Sequence, residues 1–340
     1  MLEKIDSIID RLIEFQAAVR RLLIDSRGLG SMHAVDRDSD ADTIYRIDAV
    51  VEPLIEDFCR DWSKSTPLVL IAEGLRDETG REGPRTFPAG HPADRCPIRL
   101  IIDPIDGTRG IMYDKRSAWA LAGVAPNRGD ATRLSDIQAA VMTELPTSKM
   151  GQADVLWAIK GAGAHGQRVD LSNGDKRPLA LTPSQADGIE HGFAMLVNFF
   201  PGTKRLAGEL MDELAAEIVR RPATPSPSAA PTVFDDQYIS TGGQFYELIV
   251  GHDRFNADLR PLLYKILNQP PGLSTHPYDC ATMLIATEAG IALTDALGNP
   301  LDGPLDTTTP ITWAGFANPK LRARIEPVLM RLLLTRLKLS

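Results

Sequence analysis

Apolar residues recur every three or four positions at the start of the chain, at Ile5, Ile8, Ile9, Leu12, Ile13, Phe15, Ala18, Val19, Leu22 and Leu23. This is the period of an amphipathic helix, and Gly28 and Gly30 are expected to end it. The spacing returns after Asp48, with Val51, Leu54, Ile55, Phe58 and Trp62 on one face and Asp48 as the expected N-cap. Then the period changes. Residues 68–72 and 98–102 are short apolar runs of strand length, the second interrupted by Arg99, that lead into Glu73 and Asp103, and the charged stretch 74–97 between them reads as a loop. Further strands are predicted around 119–124, 137–143 and 155–159, with a hairpin turn at Gly161–Gly163.

From about residue 190 strands and helices alternate: a strand at 193–200, a helix at 204–219, a strand at 238–240, a helix after Gly243 and a strand at 255–259. A helix at 279–289, a strand at 311–316 and a helix at 318–338 complete the chain. Such alternation predicts an α/β (α+β) fold. The Pro/Ser/Ala-rich stretch 221–231 reads as an exposed loop inside the second unit. The expected division is 1–188, an α+β part, and 189–340, an α/β part.

The 340 residues include 45 acidic and 37 basic side chains, a formal net charge of −8, which argues against a nucleic-acid polymer as partner. With 43 % hydrophobic and 24 % charged residues the chain can bury a sizeable core. No apolar run reaches the ~18 residues of a membrane span, and no secretory signal is read at the N-terminus. The three cysteines, Cys59, Cys96 and Cys280, form no CxxC pair, so a reducing, cytoplasmic setting is expected.

The segment 101–108, Ile-Ile-Asp-Pro-Ile-Asp-Gly-Thr, is the most informative. An apolar strand delivers Asp103 and Asp106 with a stiffening proline between them, and Gly107 lets a ligand approach the backbone. Hard cations such as Mg²⁺ need clustered carboxylate oxygens. A helix opening at Gly107 and Thr108 would offer N–H groups to a phosphate. Zinc catalysis is not expected, because the six histidines show neither HxH nor HExxH spacing. GxSxG and Walker patterns are missing too, the glycines of Gly161-Ala-Gly163 resemble a hairpin turn and form no phosphate loop, and the spacing of Asp103 and Asp106 differs from the DxDxT of haloacid-dehalogenase-type phosphatases.

This hexapeptide, Asp103-Pro-Ile-Asp-Gly-Thr108, resembles the central motif of the inositol monophosphatase family at every position. That family comprises Mg²⁺-dependent, often lithium-sensitive phosphatases, among them bisphosphate nucleotidases and sugar phosphatases. Leu70-Ile-Ala-Glu73 upstream and Tyr278-Asp-Cys-Ala281 with Glu288-Ala-Gly290 downstream resemble its flanking motifs, and Asp48 with Glu52 is similar to an acidic pair at the start of its second helix. The resemblance implies a layered α-β-α-β-α sandwich of the inositol monophosphatase and fructose-1,6-bisphosphatase type, and a homodimer. It implies two or three Mg²⁺ ions: Glu73, Asp103 and the Ile105 carbonyl at one, Asp103, Asp106 and Asp279 at a second, and Glu73 through water at a third. Thr108, oriented by Asp48, is expected to help activate the attacking water.

The implied activity is hydrolysis of a small phosphorylated polyol or sugar, a phosphoric monoester. Gly107, Thr108 and Arg109 are the expected phosphate side, and the stretch 240–244, with Gly242 and Gly243, the expected substrate side. Departures from the family pattern open alternatives. Gly74 stands where a second acid is usual, Tyr278 replaces a tryptophan, and Arg109-Gly110 is more similar to 3′(2′),5′-bisphosphate nucleotidases, where an arginine could clamp a second phosphate. A non-catalytic protein that binds phosphorylated ligands on the same fold is the alternative from another class.

Overall fold

The structure, a computed structural model, describes residues 5–27, 35–38, 43–74, 83–219 and 232–337. Two helices, α1 (Ile5–Asp25) and α2 (Arg46–Trp62), flank an antiparallel ribbon of β1 (Val35–Asp38) and β2 (Thr43–Tyr45). There follow β3 (Leu68–Ala72), β4 (Arg85–Phe87), β5 (Ile98–Asp106), the single turn α3 (Thr108–Ile111), β6 (Ala118–Pro126), β7 (Ala139–Leu145), β8 (Gln152–Ile159), β9 (Ala164–Asp170) and β10 (Lys176–Pro178). These strands form an eight-stranded sheet in the order β10-β9-β8-β7-β6-β5-β3-β4, antiparallel except for β3 beside β5.

The second half contributes β11 (Gly192–Leu196), α4 (Lys204–Ile218), β12 (Val233–Phe234), α5 (Thr241–Ile249), β13 (Asp253–Asp258), α6 (Arg260–Ile266), α7 (Met283–Glu288), β14 (Ala292–Thr294), β15 (Trp313–Phe316) and α8 (Pro319–Leu337). Its five-stranded sheet runs β12-β11-β13-β15-β14.

Alternation along the strands builds the layers. Leu100, Ile102, Ala120, Ala122 and Val141 share a core with Leu12 and Val19 of α1 and Val51 and Ile55 of α2. The intervening Ile101, Trp119, Leu121 and Met142 pack with Phe245 and Ile249 of α5 and with Leu284 and Ile285 of α7. The far sides of α5 and α7 meet the second sheet, which α4 and α8 cover, giving α-β-α-β-α. Strands buried on both faces read as continuous apolar runs, which is why β3 and residues 100–102 of β5 are legible in the sequence. Among the described residues, no helix is long and apolar enough to cross a membrane.

Several elements differ from expectation. Residues 238–240 form no strand, because the N–H groups of Tyr238 and Ser240 close local turns onto Asp236 and Tyr238. The following helix starts at Thr241, so Gly242 and Gly243 lie inside its first turn. Asp48 sits in the first turn of α2 and is not its N-cap; its carboxylate accepts the Tyr45 N–H at 2.8 Å. Residues 279–282 are turns, held by Cys280 N–H to Pro277 and Ala281 N–H to Tyr278, and α7 begins only at Met283. The strand expected at 137–143 runs from Ala139 to Leu145, and that expected at 193–200 ends at Leu196. Strands β4, β9 and β10 carry no apolar pattern that would have announced them. Gly28, Gly30, residues 75–82 of the loop, the stretch 221–231 and Lys338 lie outside the described residues.

Candidate active site

Strand β5 ends in the site. All nine of its positions are buried, and Asp103 and Asp106 are carried there by the strand itself. Asp106 pairs with Trp119 of β6 after an irregularity in register that follows Asp103, and the Asp103 carboxylate accepts the Ile105 N–H at 3.0 Å. The kinked strand end thereby presents both acids to one place. Asp279 reaches the same point from the loop before α7, where its Oδ2 accepts the His276 N–H at 2.6 Å. Oxygen atoms of Asp103, Asp106 and Asp279 all lie within 4.8 Å of one another.

Three carboxylates this close cannot all stay ionised in a buried place without a compensating cation or proton. Burial, followed by the charges of Asp106, Glu73 and Asp279, holds the Asp103 carboxyl well above its usual range. Asp279 is raised by burial and then by Asp106, against the His276 N–H. Asp106 is pushed up to about 6 by burial, although the Gly242 N–H, the Ser240 hydroxyl and the Thr241 N–H favour its charged form. Among the described residues, no Lys or Arg forms an ion pair with any of the three. An all-oxygen, anionic and partly dehydrated donor set fits a hard divalent cation such as Mg²⁺.

Glu73, at the end of β3, lines the same cleft but lies outside this group; its Oε1 accepts the Tyr278 hydroxyl at 3.1 Å. Gly107 turns the chain from β5 into α3 with φ +98, and a Cβ there would sit 3.1 Å from Ser240 Cβ and 3.2 Å from the Ile239 carbonyl. Glycine alone suits both the left-handed backbone and the close approach. Thr108 follows. Its Oγ1 has two acceptors, Asp48 Oδ1 at 3.0 Å and the Ile105 carbonyl at 2.7 Å. One hydroxyl proton can serve only one of them at a time, and the lone pairs of Oγ1 remain acceptors. The Ile105 carbonyl likewise keeps a second lone pair.

The N–H groups of Gly242 and Gly243, expected on the substrate side, are engaged within the protein. Gly242 donates to Asp106 Oδ2 at 2.6 Å and Gly243 to the N-cap Ser240 Oγ at 2.8 Å. The first turn of α5 therefore clamps a site carboxylate, while Ser240 and Thr241 also line the cleft.

Residues that sequence reasoning missed form the opposite wall. Phe199 and Phe200 line the cleft with Arg260. The Arg260 guanidinium is paired with Asp258 and stacks on both rings, 4.8 Å from the Phe199 centroid and 5.4 Å from that of Phe200. Arg109 lies 5.3 Å from the Phe200 ring and 5.8 Å from that of Tyr45. The aromatic pair before Pro201-Gly202 was the available signal, since a strand face buries alternate residues and two adjacent phenylalanines cannot both belong to it.

No protein-family model and no curated protein matches the sequence. Solved structures do. The chain is similar to fructose-1,6-bisphosphatase from Leishmania major, with 14 % identity over 94 % of this chain and 91 % of that one and a TM-score of 0.62. It is similar to the extragenic suppressor protein SuhB from Bartonella henselae, with 15 % identity, coverage of 95 % and 98 %, and a TM-score of 0.62. Inositol monophosphatase from an Anabaena species covers 96 % of each chain at 14 % identity, with a TM-score of 0.58. The chain has the fold of the inositol monophosphatases and fructose-1,6-bisphosphatases.

Proposed function

We propose that this chain is a Mg²⁺-dependent phosphomonoesterase that hydrolyses a small phosphorylated polyol or sugar. The observation that carries the reading is the convergence of buried Asp103 and Asp106 with half-buried Asp279 in a cleft that also holds Thr108 and Arg109. Those three carboxylates, with Glu73 and the Ile105 carbonyl, would hold two or three ions. When bound, the ions supply charge neutralisation for the phosphoryl group and a lowered pKa for water. Phosphoryl transfer then asks little more of the protein than positioning.

The chain's own residues do that positioning. With its proton given to Asp48 or to the Ile105 carbonyl, Thr108 Oγ1 accepts a hydrogen bond from the attacking water and orients it. Gly107, Thr108 and Arg109 form the phosphate side of the cleft. Burial of the acids excludes bulk water, which strengthens each electrostatic contact within.

A second reading, a bisphosphorylated substrate such as a 3′(2′),5′-bisphosphate nucleotide, is favoured by one arrangement. The guanidinium groups of Arg109 and Arg260 both stack on Phe200, which sets two cations along one wall of the cleft.

The test is phosphate release by purified wild type and Asp106→Asn over inositol phosphates, sugar mono- and bisphosphates and 3′,5′-bisphosphorylated adenosine. Loss of turnover in a folded Asp106→Asn protein supports the reading, and wild-type activity in that variant defeats it. A preference for bisphosphates that Arg109→Gln abolishes would select the second reading.

A further inference from the structure

Tyr278 stands immediately before Asp279 and is 3 % exposed. Its ring stacks on His276, with centroids 5.5 Å apart and planes 19° from parallel. Its hydroxyl lies 3.1 Å from Glu73 Oε1 and 3.3 Å from His276 Nδ1. A carboxylate can only accept, so the single phenolic proton goes to Glu73, and the His276 tautomer that completes the set donates Nδ1–H to the phenol oxygen. Hydrogen bonds in series reinforce one another in a buried place.

The turn 276–279 therefore does two things at once. Through the His276 N–H it holds Asp279 at the carboxylate cluster. Through the Tyr278 hydroxyl it holds Glu73, which arrives from β3 on the other side of the cleft and is not itself within the three-aspartate group. A neutral donor orients a carboxylate without cancelling its charge, as a lysine or arginine would. That is the property needed beside a carboxylate that must still attract a cation.

We propose that Tyr278, backed by His276, is a positioning residue that sets the Glu73 carboxylate as a fourth oxygen donor beside Asp103, Asp106 and Asp279. This rests on the reading of that cluster as a divalent-cation site. The consequence concerns this chain in particular: an aromatic residue without a hydroxyl would fill the same space against His276 and leave Glu73 without this bond.

The experiment is calorimetric titration of the full chain with Mg²⁺, for wild type, Tyr278→Phe, Glu73→Gln and the double variant. Tyr278→Phe keeps the ring and its stack, so its metal-free melting temperature should stay close to wild type. Its cation affinity should fall by about 10- to 100-fold, the usual effect of removing a group that orients a metal ligand. The double variant should bind no more weakly than Glu73→Gln alone, because the tyrosine acts through the glutamate. In phosphate release, the Mg²⁺ concentration for half-maximal rate should rise while KM for substrate stays put.

Wild-type affinity in Tyr278→Phe, or additive losses in the double variant, would overturn the proposal while leaving the cation site intact. A wild-type chain that binds no divalent cation would overturn both. Should Tyr278→Phe fail to fold, His276→Phe is titrated in its place: weakened affinity supports the proposal and unchanged affinity overturns it.

Discussion

The Asp106 carboxylate and the Gly242 N–H meet at 2.6 Å, joining the end of β5 to the first turn of α5. Asp106 is also bound by the Ser240 hydroxyl at 2.9 Å, so the two halves of the chain share one carboxylate. A Cβ at position 242 would lie 2.5 Å from Leu121 Cδ2 and 3.0 Å from Asp106 Oδ2. Gly242→Ala is therefore expected to cost about 1–3 kcal/mol through overpacking and to lower activity by tilting Asp106. Thermal unfolding and phosphate release check it together; an unchanged melting temperature would contradict the tight contact.

The acids of the cluster give a pH-dependent response to metal. Their folded pKa values lie above the unfolded ones, so the stability they permit is fully present below the unfolded value of about 3.9 and is lost as pH rises, for Asp106 through about 6. A bound cation removes that penalty. The rise in melting temperature produced by Mg²⁺ should be larger at pH 8 than at pH 5, as read by differential scanning calorimetry. Equal shifts at the two pH values would contradict the burial argument.

A second buried acid titrates away from the metal cluster. Glu144 of β7 is pushed up to about 7 by burial, which outweighs the Ser117 hydroxyl and the Asp154 N–H that donate to it. Its contribution is fully present below about 4.3 and lost as pH rises through about 7. In saturating Mg²⁺, Glu144→Gln should flatten stability between pH 5 and 8 and raise it at pH 8, since the amide oxygen still accepts the Asp154 N–H. Urea unfolding at both pH values measures this.

Thr108 and Asp48 are separated by 60 positions yet bonded at 3.0 Å. Thr108→Val keeps the shape and removes the hydroxyl, so kcat should drop by about 10²- to 10⁴-fold, the range for lost general acid–base assistance, with KM little changed. Asp48→Asn keeps an acceptor for the Tyr45 N–H and should cost less. Steady-state kinetics on the two variants separate the roles.

The α/β layering is legible in the sequence, while the ends of several elements and part of the cleft wall are not. Asp103 and Asp106 are legible because a strand running into an acid, a proline and a second acid leaves little conformational choice; Asp279 is implied by the resemblance of 278–281 to a family motif, and the structure brings the three together. The pairing of Thr108 with Asp48, 60 positions apart, is implied by the family resemblance alone, since nothing in the spacing joins them. A glycine marks a close approach but not which neighbour approaches, and at 242 and 243 the neighbours are Leu121 with Asp106, and Tyr238. Phe199 and Phe200 are hidden by reading the aromatic pair as the end of the strand expected at 193–200, and nothing local marks Arg260 as a cleft residue. Strand β9 was missed because only Val169 among its seven residues is buried.

The central claim is cation-dependent hydrolysis at the three-aspartate cluster, and the most direct measurement is release of inorganic phosphate by the wild-type chain with Mg²⁺ and again with chelator. The account expects turnover of at least one small phosphomonoester in Mg²⁺ and none in chelator, with activity returning when Mg²⁺ is restored. Equal release in chelator, or none in Mg²⁺ across polyol, sugar and nucleotide phosphates by a protein that binds the ion, would contradict it.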